Sequence, residues 1–469
     1  MIFNSFSFLV FLPIVFVLYW TLHRSVSKQN ILLLVASYVF YGFWDWRFLS
    51  LLTFSSIVDY LVANKIENSN NSLSRRRWLQ LSLFSNLGLL ALFKYFDFFA
   101  ESFASLMLNL GWEVDAFTLN LILPVGISFY TFQTLSYTID VYRGNIKPSK
   151  SLLNFATYVS FFPQLVAGPI ERASNLMPQI ESSRSFKYSM AKEGILQMFV
   201  GLFRKVVIAD NLAVYVDTVY GAPELYGGTT LLLATIFWAF QIYFDFSGYS
   251  DIAIGTAKLF GFEFNRNFNL PYFSKSITEF WRRWHISLSS WLKDYLYITL
   301  GGNRKGLSRT YINLMITMLL GGLWHGASWN FVIWGFIHGL VLGIEKYLFN
   351  RSGRNSFGWI GSIYTFGVVI LAWIFFRAST LDDAIYILSG ITTMDFSIPF
   401  VGNLNVMLTS ISMLLIGGIF DSYLFKKDIP LEKLGSSIKE STLCISIVVM
   451  VTLMVLFQST SQNFIYFQF

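Results

Sequence analysis

The sequence predicts an all-α, polytopic membrane protein, and its composition and hydropathy carry that prediction. Hydrophobic residues make up 54% of the 469 residues and charged residues only 13%, whereas soluble domains contain about 25% charged residues. The mean hydropathy of +0.54 is too high for a soluble domain of this length. The sequence lacks the alternating segments of about ten residues that would indicate a membrane β-barrel.

Apolar stretches near the ~20 residues that a membrane-spanning helix needs recur along the chain and predict about eleven or twelve crossings. We expect the shorter stretches to be tilted, broken or re-entrant. The stretches are 5–21, 31–45, 47–63, 78–96, 120–139, 193–212, 229–256, 311–326, 329–346, 358–376, 405–424 and 442–459. The first lacks the flanks of a signal peptide, so we interpret it as a retained span. Without a linker or a repeat, we predict a single domain over residues 1–469.

Lysine and arginine are concentrated in alternate loops when the N-terminus is placed outside. The loop 213–228 contains neither residue, and the loop 378–404 carries only acidic charges, whereas region 257–310 is strongly basic. Cytoplasmic loops carry the excess of positive charge. The asymmetry therefore places 257–310 on the cytoplasmic side and His325 near the outward end of its span. It also accounts for the net charge of +7, so we expect no nucleic-acid partner.

The functional prediction centres on segment 319–338, LLGGLWHGASWNFVIWGFIH. Its His325 is an ionisable residue at membrane depth, which is costly and therefore marks a functional site. Gly322 and Gly326 have no side chains to fill the space beside it, so a substrate or another backbone can approach closely. With Trp324, we expect these glycines to line a passage that brings two substrates to the histidine from opposite sides of the membrane.

Two other segments depart from ordinary spans or carry unusual polar residues. Pro163, Gly168 and Pro169 break segment 152–170 and predict a short re-entrant hairpin. In the span 229–256, three polar residues at four-residue spacing share one helix face, with a further acid close by. These residues are Gln241, Asp245, Tyr249 and Asp251. Two interpretations of them stay open: a polar seam between helices, or the lining of a reaction chamber.

Segment 273–306 predicts an interfacial amphipathic helix with tryptophans at headgroup level, capped by Ser276 or Thr278. Its apolar stripe consists of Trp281, Trp284, Leu288, Trp291 and Tyr295. His285 lies within this segment. Four basic residues decorate it, and they fit either phospholipid contact or a phosphorylated donor such as coenzyme A. They are Arg282, Arg283, Arg304 and Lys305.

Five segments resemble the membrane-bound O-acyltransferase superfamily, most of all its bacterial alginate O-acetyltransferase branch, and also the D-alanyl transfer protein of teichoic acid modification. They are 129–144, 161–170, 244–255, 267–306 and 320–339, and the family motifs concentrate in 120–345. The resemblance implies tilted helices around a central tunnel. It also implies a catalytic histidine at His325 and a second polar site residue at His285.

The chemistry of these two histidines fits acyl transfer to a hydroxyl group. A neutral imidazole accepts a hydroxyl proton well near neutral pH, and burial disfavours the charged form, so His325 suits a general base. His285 is expected to orient the reacting groups or to donate a hydrogen bond to the thioester carbonyl. We expect His338 to be a packing residue and His23 to have no special role. Four scattered histidines and one cysteine argue against a metal site.

The resemblance implies a multi-pass acetyltransferase of the bacterial inner membrane with no permanently bound cofactor. It would take an acetyl group from a cytoplasmic thioester, acetyl-coenzyme A in the first place. The acceptor would be an extracytoplasmic polysaccharide such as alginate, another exopolysaccharide or peptidoglycan, reached through a periplasmic acetyltransferase of the SGNH-hydrolase type. Two alternatives stay open: a transporter or flippase, since Asp245 and Asp251 suit one, and an enzyme with a lipid acceptor.

Overall fold

The computed structural model describes residues 1–353, 356–393, 400, 402, 404–458 and 464–465. Within these residues the secondary structure is helical and contains no strand, which confirms the predicted all-α class. Six helical stretches in them are long and apolar enough to cross a membrane, and two shorter apolar helices accompany them. The count of about eleven or twelve crossings stays a prediction.

The helices form two compact units, and neither unit is a continuous part of the chain. The first contains Met1–Lys187 and Ala257–Asn265, and the second contains Tyr188–Thr256 and Arg266–Phe469. The chain therefore leaves the first unit and later returns to it. The predicted single domain over 1–469 stays a prediction.

The first unit contains nine α-helices in its described residues. They are α1 (Phe6–Thr21), α2 (Val26–Asp45), α3 (Leu49–Glu67), α4 (Ser72–Leu90), α5 (Phe96–Asn109), α6 (Ile127–Arg143), α7 (Leu152–Ser160), α8 (Phe162–Leu165) and α9 (Ala173–Glu181). Helices α3, α4 and α6 pack against one another. The predicted break in 152–170 is confirmed, because α7 and α8 are separate helices that meet at Phe161. Its re-entrant position in the membrane stays a prediction.

The backbone at this break is buried but hydrogen-bonded. The amide N–H of Phe162 donates to Oγ of Ser37 at 3.0 Å. The side-chain amides of Gln133 and Gln164 both donate to the carbonyl oxygen of Tyr158, at 2.8 and 2.6 Å. Side chains thus replace the hydrogen bonds that the interrupted helix loses, as irregular backbone away from water requires.

The second unit contains His325 and His338 in helices and His285 between two helices. The long helix Gly228–Leu259 ends in the first unit, to which residues 257–259 belong. The described residues of the second unit form twelve α-helices. They are α10 (Tyr188–Phe203), α11 (Asp210–Tyr220), α12 (Gly228–Leu259), α13 (Ile277–Arg283), α14 (Ile286–Trp291), α15 (Leu307–His325), α16 (Trp329–Ser352), α17 (Ile360–Arg377), α18 (Leu381–Thr393), α19 (Leu404–Lys427), α20 (Leu431–Ser437) and α21 (Glu440–Leu456). Two π-helical segments, Arg204–Ala209 and Leu292–Tyr297, follow α10 and α14. π-helical segments are rare in proteins, and those that do occur often lie at functional sites.

The prediction of one interfacial helix over 273–306 was wrong. Helix α13 begins at the predicted cap, where Oγ of Ser276 accepts the amide N–H of Glu279, but it ends before His285. That residue has a φ of +42°, in the left-handed region. Trp284, Leu288, Trp291 and Tyr295 are buried and Trp281 is half-buried, so most of the apolar stripe packs inside the protein instead of facing lipid headgroups. A periodic apolar pattern did not distinguish these two environments.

Helices α15 and α16 approach each other at backbone contact distance. A Cβ atom on Gly322 would lie 2.1 Å from the carbonyl oxygen of Phe331, and one on Gly335 would lie 2.3 Å from that of Met318. Neither helix can carry a side chain there, since real Cβ atoms do not come this close to an oxygen. Membrane proteins often have small residues where two helices cross, because small residues let the backbones approach closely.

Replacing Gly335 with alanine should therefore destabilise the protein by about 1–3 kcal/mol, because the new methyl group overpacks the crossing. Thermal unfolding of the purified protein measures this effect. The matched control is Gly367→Ala in α17, where a Cβ has no atom within 4 Å, so the better helix propensity of alanine should leave stability equal or higher. Equal unfolding temperatures for Gly335→Ala and the wild type would contradict the close contact.

Candidate active site

The three histidines of the second unit lie in one row of aromatic rings. The ring centroids of His285 and Trp324 are 6.0 Å apart, and those of Trp324 and His325 are 5.0 Å apart. The row continues from His325 to Trp334 at 5.0 Å and from Trp334 to His338 at 4.8 Å. The structure therefore brings together the two histidines that the sequence predicted to be catalytic, with Trp324 between them.

His325 is the last residue of α15, and the chain turns directly after it. Gly326 has extended backbone, and Ser328 caps α16 by accepting the amide N–H of Asn330 at 3.2 Å. The side-chain amide of Asn330 donates to the carbonyl oxygen of Ala378 at 2.9 Å, which holds the turn against the end of α17. A short, fixed turn thus brings the end of α15 next to Trp334 on α16.

The imidazole of His325 is enclosed by aromatic side chains. It is 3% exposed, and besides the two tryptophans the ring of Phe376 lies 5.2 Å away and nearly perpendicular. The ring therefore has little contact with water, and a neutral imidazole in this place can accept a proton from a hydroxyl group. The predicted passage to His325 from both sides of the membrane stays a prediction.

The two glycines predicted to line that passage contact protein instead. The space beside Gly322 is filled by the backbone of Phe331, and the space beside Gly326 is filled by its ring, which a Cβ would meet at 2.1 Å. From the sequence, either a substrate or another backbone could occupy the space beside these glycines. In the structure, the backbone of Phe331 occupies the space beside Gly322, and the ring of Phe331 occupies the space beside Gly326.

His285 is fully buried, and its hydrogen bonds fix its tautomer. Nδ1 of His285 lies 3.1 Å from Oδ1 of Asn267, and the backbone N–H of Ser287 donates to the same oxygen at 3.3 Å. A backbone N–H can only donate, so this oxygen is an acceptor and Nδ1 must carry the hydrogen. Nε2 of the neutral ring therefore carries a lone pair and can only accept. The expected hydrogen bond from His285 to a thioester carbonyl does not fit this tautomer.

Asn267 is the site residue that the sequence reasoning missed. Its side-chain amide nitrogen donates to Oγ of Ser250 on α12 at 3.0 Å, and its backbone carbonyl oxygen accepts a hydrogen bond from the amide N–H of Ile286 at 2.9 Å. It thus holds both the ring of His285 and the backbone beside it. Its position in one of the family-like segments was the available signal, but the sequence did not pair it with His285.

The polar residues of α12 are held by cations from the π-helical segment. Nζ of Lys205 lies 2.7 Å from carboxylate oxygens of both Asp210 and Asp245. The guanidinium of Arg204 lies 2.7 Å from Asp251 and 2.6 Å from Asp421 on α19. These ion pairs support the interpretation of a polar seam between helices. Arg204 and Lys205 are adjacent inside the apolar stretch 193–212. Two neighbouring cations in such a stretch indicate buried acidic partners, which the sequence prediction did not include.

The other residues predicted as passage lining have different surroundings. Gln241 is buried on α12, and the ring of Tyr249 stacks on that of Phe464 with centroids 4.3 Å apart. Asp251 and Asn267 both line a cavity. The side chain of Asn267 also contacts His285. Further lining residues are Arg204, Ser247, Arg266, Leu431 and Glu432.

One of the four predicted donor-binding cations lies beside a cleft that shares residues with this cavity. Arg283 and Arg266 line the cleft together with Phe425 and Asp428. The guanidinium of Arg283 also pairs with Glu279 at 2.9 Å. The side chains of Arg282, Arg304 and Lys305 are exposed. Within the described residues no three His, Cys, Asp or Glu side chains converge as metal ligands, and the absence of a metal stays a prediction.

Comparison with known proteins identifies the class. The sequence model of the membrane-bound O-acyltransferase family matches residues 15–381. A probable alginate O-acetylase of Pseudomonas putida is 45% identical over 386 residues, which cover 82% of this chain and 79% of that protein. A peptidoglycan O-acetyltransferase of Helicobacter pylori is 38% identical over 428 residues, covering 84% of this chain and 80% of that protein.

A more distant relative is a teichoic acid D-alanyltransferase of Bacillus subtilis, which is 28% identical over 52% of this chain and 63% of its own length. The chain belongs to the membrane-bound O-acyltransferase family, and it is a membrane-embedded O-acyltransferase. The resemblance drawn from the sequence is confirmed. The transporter interpretation loses its support, because Asp245 and Asp251 are both ion-paired.

Replacing Asn267 with alanine should lower acyltransferase turnover by about 10- to 100-fold, as loss of a partner that fixes a histidine tautomer does at other sites. The control is Ser250→Ala, which removes one acceptor from Asn267 but leaves its bond to His285, so its loss should be much smaller. Turnover and expression level are measured side by side. Equal losses in the two variants would contradict the positioning role of Asn267.

Proposed function

We propose that this enzyme moves an acetyl group from a cytoplasmic thioester, acetyl-coenzyme A, across the bacterial inner membrane for O-acetylation of an extracytoplasmic polysaccharide. The observation that carries the proposal is the enclosed His325, 5.0 Å from Trp324 and joined through that ring to His285. Relatives that share about four-fifths of their length with this chain are an alginate O-acetylase and a peptidoglycan O-acetyltransferase by name.

In the proposed reaction His325 acts as general base. Its imidazole takes the proton of the acceptor hydroxyl while that oxygen attacks the thioester carbonyl. The tetrahedral intermediate then collapses, the C–S bond breaks, and the thiolate takes the proton from the imidazolium of His325, which restores the neutral base. Nε2 of His285 can accept a hydrogen bond but not donate one, so the proposed role of His285 is to orient a hydroxyl or thiol group rather than to stabilise the oxyanion. The reaction needs no permanently bound cofactor.

The donor is proposed to enter from the cytoplasmic side. Charge asymmetry between the loops favours a cytoplasmic position for 257–310, the region that supplies Arg266, Arg282 and Arg283. Guanidinium groups suit the phosphates of coenzyme A. The cavity beside Arg266 extends to Asn267, which contacts His285, so a thioester entering there would approach the row of rings.

The acceptor is proposed to be alginate, another exopolysaccharide or peptidoglycan. In this scheme the hydroxyl that attacks at His325 belongs to the nucleophilic serine of a periplasmic acetyltransferase of the SGNH-hydrolase type, which passes the acetyl group to the polymer. A lipid acceptor would use the same base. Analysis of the acetylated product in cells distinguishes a polymer from a lipid.

The His325→Ala variant should abolish polymer acetylation in cells, since no other group at that position can take the hydroxyl proton. His23→Ala is the matched control, because His23 is exposed and should tolerate the change. Acetyl content of the polymer is compared at equal protein levels. Wild-type acetylation in the His325→Ala strain would end the proposal.

The combined variant Arg282→Ala, Arg304→Ala, Lys305→Ala should raise the KM for acetyl-coenzyme A several-fold with little change in kcat, because these exposed cations are proposed to contact only the donor phosphates. Acetyl-coenzyme A consumption by the purified protein measures both constants. Arg76→Ala with Arg77→Ala, two exposed cations on α4, is the control. An unchanged KM would show that these three residues do not bind the donor. If the wild-type protein consumed no acetyl-coenzyme A, the proposal that this thioester is the donor would be wrong.

A further inference from the structure

The first unit contains a buried carboxylate without a positively charged partner. Asp59 on α3 is 0% exposed and lies within a helical stretch apolar enough to cross a membrane. It is eight residues from the end of α3, about 12 Å along the helix axis. Among the described residues no lysine, arginine or histidine pairs with it, and its partners are hydroxyl and amide groups.

Other buried acids in the chain are compensated differently. The carboxylates Asp210, Asp245, Asp251 and Asp421 of the second unit each contact Arg204 or Lys205. Glu171 and Glu345 accept backbone N–H groups, from Asn265 and Ile277 respectively. An uncompensated charge buried at membrane depth is unfavourable by several kcal/mol. The described partners of Asp59 are neutral side chains alone, so a proton or a bound cation would compensate its charge.

Six polar residues from three helices, Asp59 among them, form one buried cluster. Each helix contributes two residues at four-residue spacing, so each pair lies on one helix face. The pairs are Ser55 and Asp59 on α3, Ser82 and Asn86 on α4, and Thr134 and Thr138 on α6. All six side chains are buried. The three helices pack against one another, and the cluster lies on their shared interface.

Distances within the cluster are those of a continuous oxygen-lined site. Oγ of Ser82 and Oγ1 of Thr138 contact one carboxylate oxygen of Asp59, the latter at 3.2 Å, and Nδ2 of Asn86 donates to the other at 2.8 Å. Oδ1 of Asn86 accepts from Oγ of Ser55 at 2.8 Å and from Oγ1 of Thr134 at 3.4 Å. The hydroxyl groups of Ser55, Ser82, Thr134 and Thr138 can rotate, so each of these four oxygens can turn a lone pair towards a cation.

We propose that this cluster is a binding site for a monovalent cation, and specifically for Na⁺. Carboxylate, hydroxyl and amide oxygens are the ligands that hard cations prefer. A single carboxylate balances a single positive charge, whereas Ca²⁺ sites draw on several carboxylates. Oxygen separations of about 3 Å favour the smaller Na⁺ over K⁺. The bound ion compensates Asp59 and cross-links α3, α4 and α6.

The test is thermal unfolding of the full-length protein in lipid nanodiscs, in NaCl, KCl or choline chloride at equal ionic strength. A ligand that binds only the folded state stabilises it in proportion to the logarithm of its concentration above Kd. The Tm of the wild type should therefore rise saturably with Na⁺ and stay flat with choline. The same Tm in all three salts would overturn the proposal.

Three variants assign the effect to the cluster. Asp59→Asn should remove the Na⁺ dependence, and Thr138→Val, which keeps the carboxylate, should shift the midpoint of the Na⁺ titration upwards by about tenfold. Ser56→Ala is the matched control, because the hydroxyl of Ser56 is buried on α3 but bonds the carbonyl of Leu52 outside the cluster; it should keep the wild-type midpoint.

Direct binding of ²²Na⁺ to the purified protein checks the assignment without unfolding. Saturable binding that is lost in Asp59→Asn and retained in Ser56→Ala supports the site. A wild-type Tm that responds to pH but to none of the salts would mean that Asp59 holds a proton, and would overturn it.

Discussion

The close contact between α15 and α16 is the constraint on which the geometry of the site depends. Because Gly322 and Gly335 carry no side chain, the two backbones meet, and the short turn after His325 can bring that ring to 5.0 Å from Trp334. A bulkier residue at either glycine would separate the helices. The row from His285 to His338 is therefore a product of backbone packing as much as of the aromatic residues themselves.

The charged residues inside the second unit follow a second constraint, which is that buried charges need partners. Arg204 and Lys205 project from a π-helical segment, and each holds two carboxylates from different helices. Replacing either cation would leave two buried acids uncompensated. This arrangement favours a fixed framework around the acyl-transfer site over carboxylates that change their charge during transport.

Much of this could be predicted from the sequence, and the misses have identifiable causes. Composition predicts the membrane class. The position of His325 at the end of an apolar, glycine-rich span marks it as the candidate catalytic residue. The break at His285 escaped prediction because the apolar spacing continues through a residue with positive φ. Asn267 and the partners of Lys205 depend on contacts between distant parts of the chain. Sequence alone also did not show that the gap beside Gly322 is filled by Phe331.

In the proposed reaction, one buried imidazole acts as general base while an acetyl group moves from a donor on one side of the membrane to a hydroxyl group presented from the other side. The most direct test of this reaction uses proteoliposomes with isotope-labelled acetyl-coenzyme A outside, and the polysaccharide with its periplasmic acetyltransferase inside. The account predicts labelled polymer in the lumen with wild-type protein and none with a variant lacking the imidazole of His325. Label that reaches only acceptors on the same side as the donor would contradict the account.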